Sequence, residues 1–290
     1  MIPYGRQSVG RQDIKNLNKV LKSNWLTQGP LVEKFEKEIC KFVGAKYAVA
    51  TNSASSALHI SCLALGLKSK QYFWTVPNSF VASANCGLHC NAKVDFVDID
   101  KNTWNLSPES LRNKLEKIKD KKKMPKVIIP VHFAGQSSEQ KEIKDLSKKY
   151  KFKILEDASH SLGGTYKGEK IGSCKWSDVT VFSFHPVKTI TTAEGGMAVT
   201  NDIKIYKQLL KLRNNGITKN FSDLKRKIKS AWYYEQQSLG FNYRMNELEA
   251  SLGLTQLKRI KKFIKERNLI SKRYMYLLKN IPLQLPFIRK

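Results

Sequence analysis

The chain has 290 residues, 41% of them hydrophobic, which is enough to bury a large core as one large domain or as one domain with part of another. It has no apolar run long enough to span a membrane and does not start like a signal peptide, so we expect a cytoplasmic protein without a membrane partner. The formal net charge is +28, but the lysines are spread along predicted helices, such as one over residues 111–123, without a nucleic-acid-binding motif. We therefore expect no nucleic-acid partner, and a surface that attracts anionic ligands.

Nothing in the sequence indicates a metal centre. The five cysteines are odd in number and include no Cys-x-x-Cys pair, which favours reduced, mostly buried thiols over disulfides or zinc. Asp98 and Asp100 lie at the end of a strand predicted over residues 94–99, but no histidine or further acid accompanies them. A turn is the better interpretation of this pair, and no metal is expected.

The first predicted elements are a helix over residues 12–23, a loop and a helix over residues 31–43. The loop, at residues 24–30, reads Asn-Trp-Leu-Thr-Gln-Gly-Pro. Its polar groups, the tryptophan and the Gly-Pro turn predict a rigid loop.

A strand beginning at Tyr47 leads into a turn of small residues, Thr-Asn-Ser-Ala-Ser-Ser, and then into a helix running to Leu67. The start of a helix offers free backbone N–H groups and a partial positive charge, and the serines add hydroxyl donors, so this turn suits a phosphate group. Serine also caps many helices that bind no ligand, and that alternative stays open here.

Apolar strand-like segments then alternate with helical segments as far as residue 157. This alternation predicts βαβ units and a mostly parallel sheet. Ligands gather at the carboxyl ends of parallel strands, so Asp157, at the end of an apolar run, is expected beside a cofactor. An aspartate there can keep a pyridine nitrogen protonated. His132 lies within a predicted strand, where a core histidine is at least as good an interpretation as a substrate contact.

Residues 181–201 contain one lysine, Lys188, between apolar strand-like segments, with Pro186 before it and Gly195-Gly196 after it. Apolar neighbours would lower the pKa of this lysine toward the neutral amine that attacks a carbonyl group. The alternative is a lysine at a strand end whose ammonium group reaches water. Further along, residues 239–250 predict a turn followed by a helix near Asn246, and a long amphipathic helix is predicted over residues 256–279.

These motifs, in this order and together with Ile-Pro-Tyr-Gly-Arg-Gln at residues 2–7, resemble the DegT/DnrJ/EryC1/StrS family of sugar-nucleotide aminotransferases. The resemblance covers almost the whole chain. It implies an α/β protein with the type I fold of aminotransferases that depend on pyridoxal 5'-phosphate (PLP), in which helices flank a mostly parallel central sheet. It divides the chain into an N-terminal segment and substrate loop (1–30), a large PLP-binding domain (31–255) and the first helix of a truncated small C-terminal domain (256–290).

The resemblance also assigns residues around PLP. Lys188 would carry the cofactor and Asp157 would face its pyridine nitrogen, both as catalytic residues. Phe80 would stack on the pyridine ring, although core packing explains it as well, and His160 would lie close to the ring. The phosphate ligands implied are Ala54, Ser55, Ser183 and, from the other subunit of a homodimer, Asn242. A structural turn before a helix is the alternative for Asn242.

The implied substrate contacts lie near the N-terminus: Tyr4, Asn24, Trp25, Leu26 and Thr27. A structural turn with Trp25 as a packing anchor is the alternative for the loop residues. Within the family, the resemblance is greatest to members that aminate UDP-2-acetamido-2,6-dideoxy-β-L-arabino-hex-4-ulose, a UDP-sugar, with L-glutamate as donor, for pseudaminic acid biosynthesis. Two alternatives are an aminotransferase for another keto-sugar nucleotide and a truncated paralogue with weak or no activity.

Overall fold

The computed structural model describes residues 5–230 and 232–289, so Tyr4 lies outside the described residues. The helices of the described part are α1 (Arg11–Leu21), α2 (Pro30–Val43), α3 (Ala54–Ala64), α4 (Ala82–Leu88), α5 (Pro108–Lys117), α6 (Gln140–Tyr150), α7 (Ile203–Arg213) and α8 (Glu247–Leu278). The strands are β1 (Tyr47–Thr51), β2 (Tyr72–Thr75), β3 (Lys93–Phe96), β4 (Pro125–Ile128), β5 (Lys153–Asp157), β6 (Thr165–Tyr166), β7 (Glu169–Lys170), β8 (Val179–Ser183), β9 (Gly196–Thr200), β10 (Ile217–Thr218) and β11 (Glu235–Gln236).

Seven of these strands form one central sheet in the order β1-β9-β8-β5-β4-β2-β3. Strand β9 is antiparallel to both of its neighbours, and the other neighbouring pairs are parallel. The mostly parallel sheet predicted from the sequence is therefore confirmed. Six strands end at one edge of the sheet, and β9 begins at that same edge, where a ligand is expected.

Helices cover both faces of the sheet. One face packs against α3, α4 and α7, and the other packs against α2 and α8 at one end and against α5 and α6 at the other. Every residue of β8 and β9 is buried, as expected for strands enclosed between two helical layers. The fold class expected from the resemblance is confirmed.

Local signals explain where several helices begin and end. Helix α2 has Pro30 in its first turn and ends at Gly44, whose φ of 82° is the left-handed conformation that favours glycine. Helix α8 starts after Asn246, whose side chain accepts from the Glu249 amide while the Glu249 carboxylate accepts from the Asn246 amide.

Two helix predictions were wrong in their bounds. The helix predicted near Asn246 and the long helix predicted over residues 256–279 are one helix, which begins at Glu247 after the cap at Asn246 and continues through 32 residues to Leu278. The helix expected over residues 111–123 is α5, which ends at Lys117 because Ile118 has an extended backbone (ψ 112°). No helix in the described ranges is long and apolar enough to cross a membrane.

Candidate active site

Three strand ends meet in one row at the ligand edge of the sheet. Thr51 of β1 pairs with Gly196 of β9, and Gly196 pairs with Ser183 of β8. Neighbouring strands lie about 5 Å apart, so the turn after β1 and the end of β8 flank Gly196 at about 10 Å from each other. The register therefore places the predicted phosphate residues Ala54, Ser55 and Ser183 around one point.

The turn after β1 has the geometry of an anion site. Ser53 caps α3, because its Oγ accepts from the Ser56 amide at 3.1 Å. The amides of Ala54 and Ser55, in the first turn of α3, have no helical carbonyl four residues earlier, so they face the space beyond the helix end. Together with the helix dipole, these amides favour a bound phosphate.

This turn and Gly196 of β9 together form a cradle whose shape suits a cofactor. A Cβ atom on Gly196 would collide with the Ser53 carbonyl oxygen and the Ala54 nitrogen, so only glycine lets β9 approach the turn. Beside it, Asn52 Oδ1 is buried and has no hydrogen-bond partner in residues 5–230 and 232–289. A buried acceptor without a partner costs free energy unless a further donor satisfies it. A donor from outside the described residues would satisfy this acceptor.

Asp157 lies at the carboxyl end of β5 with 5% of its surface exposed. Its Oδ1 accepts from Ser159 N at 3.1 Å and from Ser159 Oγ at 2.6 Å. Its Oδ2 accepts from Ser83 Oγ, on α4, at 2.6 Å. Neither serine was predicted from the sequence. The Asp-x-Ser spacing is a local signal that could have indicated the Ser159 contact, but no local pattern pointed to Ser83.

Lys188 lies in the connection from β8 to β9 and is half-buried. Its amide donates to the His185 carbonyl at 2.9 Å, and its own carbonyl accepts from the Arg267 guanidinium of α8 at 2.8 Å. Desolvation lowers the pKa of Lys188 below its usual value, against the attraction of the Asp157 carboxylate. This favours the buried amine over the alternative of a freely solvated ammonium group.

His160 interacts electrostatically with both Lys188 and Asp157. Desolvation is the main cause of its lowered pKa, followed by repulsion from Lys188, while Asp157 acts in the opposite direction. Its side chain is nevertheless accessible, at the wall of a cavity of about 890 Å³. That cavity is also lined by Thr189, next to Lys188, and by Arg267. The structure therefore places Lys188, Asp157 and His160 within electrostatic reach of one another, and His160 and Thr189 connect them to a space large enough for a substrate.

Phe80 is 73% exposed, so the alternative of core packing is wrong. It follows β2 and immediately precedes α4, the helix that carries Ser83. A large exposed aromatic ring beside the Asp157 contact is available to cover a planar ligand.

His132, in contrast, is fully buried. The Ser138 amide donates to its Nδ1 at 3.1 Å, which puts the ring proton on Nε2, facing Gln140 and Glu156. This arrangement favours the core-histidine interpretation.

The predicted substrate loop, Asn24 to Thr27, is exposed between α1 and α2. Trp25 is 55% exposed, so its predicted alternative role as a packing anchor is wrong. The buried Glu247 of α8 anchors the loop: its amide donates to the Leu26 carbonyl at 2.9 Å, and its carboxylate accepts from the amides of Leu31 and Val32 at 2.8 and 3.2 Å. The role of Glu247 was not predicted from the sequence.

No hydrogen bond in the described part of the chain joins the loop of residues 24–27 to Lys188 or Asp157. At the other end of the N-terminal segment, Gly5 lies against Val187, the neighbour of Lys188.

Asn242 is exposed in the segment that precedes α8 and forms a bridge with Asn214. The next residue, Tyr243, accepts from the Asn52 amide at 2.9 Å, so this segment runs past the cradle of its own chain. The contact of Asn242 with a partner subunit stays a prediction.

Comparison with known proteins is consistent with this geometry. Residues 7–289 match the DegT/DnrJ/EryC1/StrS aminotransferase family. The chain belongs to this family. Its members depend on PLP, so this aminotransferase has the cofactor predicted from the sequence.

Among its relatives is the UDP-4-amino-4,6-dideoxy-N-acetyl-β-L-altrosamine transaminase of Campylobacter jejuni. It is 40% identical over 274 residues, which are 94% of this chain and 69% of the relative. Among solved structures, Helicobacter pylori PseC, an aminotransferase involved in the biosynthesis of pseudaminic acid, is similar with a TM-score of 0.85 and 34% identity. That match covers 97% of this aminotransferase and 71% of PseC. The PLP form of the sugar aminotransferase Spr1654 from Streptococcus pneumoniae is similar with a TM-score of 0.83 and 28% identity, covering 96% and 72% of the two chains.

Proposed function

We propose that this aminotransferase moves an amino group from L-glutamate to C4 of UDP-2-acetamido-2,6-dideoxy-β-L-arabino-hex-4-ulose. The product would be the 4-amino sugar for pseudaminic acid biosynthesis. The observation that carries the proposal is the 40% identity to the C. jejuni transaminase, and the similarity to PseC supports it. The net charge of +28 suits an anionic sugar diphosphate, because a positive surface raises its local concentration.

Two residues carry the chemistry in this proposal. Bound PLP supplies the electron sink. Lys188 holds the cofactor through its amine, and the desolvation that lowers its pKa raises the fraction of neutral amine available for attack. Asp157, held by its serine donors, keeps a proton on the pyridine nitrogen. Lys188 Nζ would also be the base that takes a proton from the bound amino donor and returns it.

The phosphate end of the cofactor is assigned to the cradle. The amides of Ala54 and Ser55, the Ser55 hydroxyl and the Ser183 hydroxyl would donate to phosphate oxygens, and Asn242 of a partner subunit would complete the set. One fact supports this assignment: the row formed by Thr51, Gly196 and Ser183. A homodimer with shared sites is part of the proposal.

Two further residues would orient the ring and exclude water. Phe80 would cover one face of the pyridine, which accounts for a large aromatic side chain left exposed three residues before Ser83. His160, whose lowered pKa leaves it neutral at pH 7, adds no second positive charge next to Lys188 and can hydrogen-bond the cofactor hydroxyl.

The sugar nucleotide is assigned to the side of the site reached by the N-terminal segment. Tyr4 and the loop residues Asn24, Trp25, Leu26 and Thr27 are proposed as its contacts. The supporting observations are the exposure of this loop and its fixed anchoring by Glu247 of α8.

Product analysis tests the proposal directly. Purified protein loaded with PLP is incubated with L-glutamate and a panel of UDP-linked keto sugars that differ at C4, C5 and C3, and the products are identified by NMR and mass spectrometry. We expect the arabino-hex-4-ulose to be aminated at C4 with the highest kcat/KM, and Lys188→Ala to give no product. Faster amination of another keto sugar would support the alternative of a different sugar-nucleotide substrate. No amination of any sugar would contradict the proposed activity.

A further inference from the structure

We propose that Ser83 is a positioning residue for Asp157, and that Ser79 orients Ser83 in turn. Asp157 is proposed above to hold the pyridine proton, and the inference rests on that function. Among the described residues, Ser83 is the donor to Asp157 Oδ2, at 2.6 Å, and it is 1% exposed. Ser79 Oγ lies 2.8 Å from Ser83 Oγ.

The direction of these hydrogen bonds follows from proton counting. An ionised carboxylate only accepts, so the single hydroxyl proton of Ser83 points to Asp157 Oδ2. Ser83 then has no proton left for Ser79, and the Ser79 hydroxyl must donate to Ser83 Oγ. The chain of donors therefore runs from Ser79 through Ser83 to Asp157, and each bond polarises the next one.

The same counting identifies the oxygen that faces the cofactor. A carboxylate offers roughly four acceptor positions, two on each oxygen. Ser159 takes both positions on Oδ1 through its amide and hydroxyl, and Ser83 takes one on Oδ2. The remaining position is on Oδ2. The pyridine N–H would therefore bind the oxygen that Ser83 holds, and the Ser83 bond fixes the direction of the free lone pair.

The backbone around Ser83 links this role to the cofactor ring. The Ser83 amide donates to the Phe80 carbonyl at 3.1 Å in the turn that opens α4. The short segment from Ser79 to Ser83 thus carries both the exposed ring proposed to cover the pyridine and the hydroxyl that aims the carboxylate. Movement of this segment would displace both contacts together.

The experiment compares wild-type protein with Ser83→Ala, Ser83→Thr, Ser79→Ala and Asp157→Asn, each loaded with PLP. Ser147→Ala is the matched control, because Ser147 is also a buried serine on a helix but donates to the Lys144 carbonyl, away from the site. Two quantities are measured: kcat and KM for the sugar nucleotide, and the pH midpoint of the absorbance change of the bound cofactor. The midpoint is the pKa of the imine nitrogen that joins Lys188 to the cofactor. A positive charge on the pyridine nitrogen lowers this pKa, so the midpoint rises when that nitrogen is held protonated less firmly, and it can be measured independently of turnover.

For Ser83→Ala we expect kcat to fall at least tenfold, KM to stay within about threefold of wild type and the absorbance midpoint to rise. Ser79→Ala should shift both quantities in the same direction by less. Ser83→Thr keeps the hydroxyl and should restore the midpoint even where its extra methyl group lowers stability. A Ser83→Ala protein with the kcat and midpoint of Ser147→Ala would overturn the inference.

The Asp157→Asn arm separates this inference from the proposed function. If Asp157→Asn itself keeps the wild-type kcat and midpoint, then the proposed role of Asp157 fails. If Asp157→Asn is impaired while Ser83→Ala matches the control, only the positioning role of Ser83 fails. Should Ser83→Ala be too unstable to load with PLP, Ser79→Ala against Ser147→Ala decides the same question, since Ser79 does not touch Asp157.

Discussion

Gly196 lies directly against the backbone nitrogen of Ala54, so that a Cβ atom on Gly196 would come within 2.5 Å of it. Gly196→Ala must therefore separate β9 from the turn that begins α3. We expect PLP affinity to fall at least tenfold, or about 1.4 kcal/mol, when apo-protein is titrated with PLP and followed by absorbance. Gly5→Ala is the control, because its Cβ would meet Val187 at an ordinary 3.4 Å. A folded Gly196→Ala protein with wild-type affinity would show that the cradle does not bind phosphate.

The lowered pKa of Lys188 predicts how this residue's effect on the free energy of unfolding changes with pH. Below that pKa, folding buries an ammonium group at a free-energy cost. This cost disappears as the pH rises from the pKa in the folded protein toward the ordinary value of 10.5. Lys188→Met removes the charge and should raise the free energy of unfolding of the apo-protein at pH 7 by up to about 1 kcal/mol, since the group is only half-buried. Urea unfolding at pH 7 and pH 10 measures the free energy of unfolding of both proteins.

The difference between wild type and Lys188→Met should shrink at the higher pH. If the free energy of unfolding of Lys188→Met minus that of wild type increases with pH, then attraction to Asp157, rather than desolvation, dominates at Lys188.

Glu247 should affect substrate binding without touching the cofactor. Glu247→Gln replaces one carboxylate oxygen by an N–H group that faces the amides of Leu31 and Val32, and hydrogen bonds to charged groups are worth about 1.5–3 kcal/mol. The loop of residues 24–27 would lose its fixed position. We expect KM for the sugar nucleotide to rise about tenfold, with PLP affinity near wild type. Glu33→Gln, an exposed change on α2, serves as the control.

Asn242 provides a test of the shared site. If Asn242 and Lys188 serve one site from different chains, mixing inactive Lys188→Ala protein with an inactive Asn242→Ala protein should restore activity in heterodimers, up to about a quarter of the wild-type rate per chain by simple pairing statistics. Subunit exchange is verified by mass spectrometry of differently tagged chains. Exchange without recovered activity would count against the shared site.

Lys151 offers a stability prediction away from the site. It ends α6 in the left-handed conformation, with φ 63°, which costs a side-chain-bearing residue about 1–2 kcal/mol. Lys151→Gly should raise the free energy of unfolding by about 1 kcal/mol after the entropy of glycine is counted. Lys148→Gly, inside the same helix and exposed, should lower it by about 1 kcal/mol. Thermal unfolding of both variants would show opposite shifts, and equal shifts would contradict the conformational explanation.

Sequence patterns could predict the parts of this protein that depend on neighbours in the chain. The parallel sheet, the turn before Ala54 and the apolar surroundings of Lys188 all follow from local periodicity and composition. The partners of Asp157 and of the substrate loop do not. Ser83 meets Asp157 across 74 positions and Glu247 meets Val32 across 215, and no short-range pattern specifies such contacts.

The antiparallel pairing of β8 with β9 has a consequence for the order in which the protein folds. These strands are joined by the loop that carries Lys188, and their pairing links residues that are close in the chain, such as Ser183 and Gly196. Local contacts of this kind close at a smaller entropy cost than the pairing of β9 with the distant β1. We therefore expect amides of β8 and β9 to gain hydrogen-exchange protection before those of β1 during refolding, so that the loop of Lys188 forms before the cradle is assembled beside it.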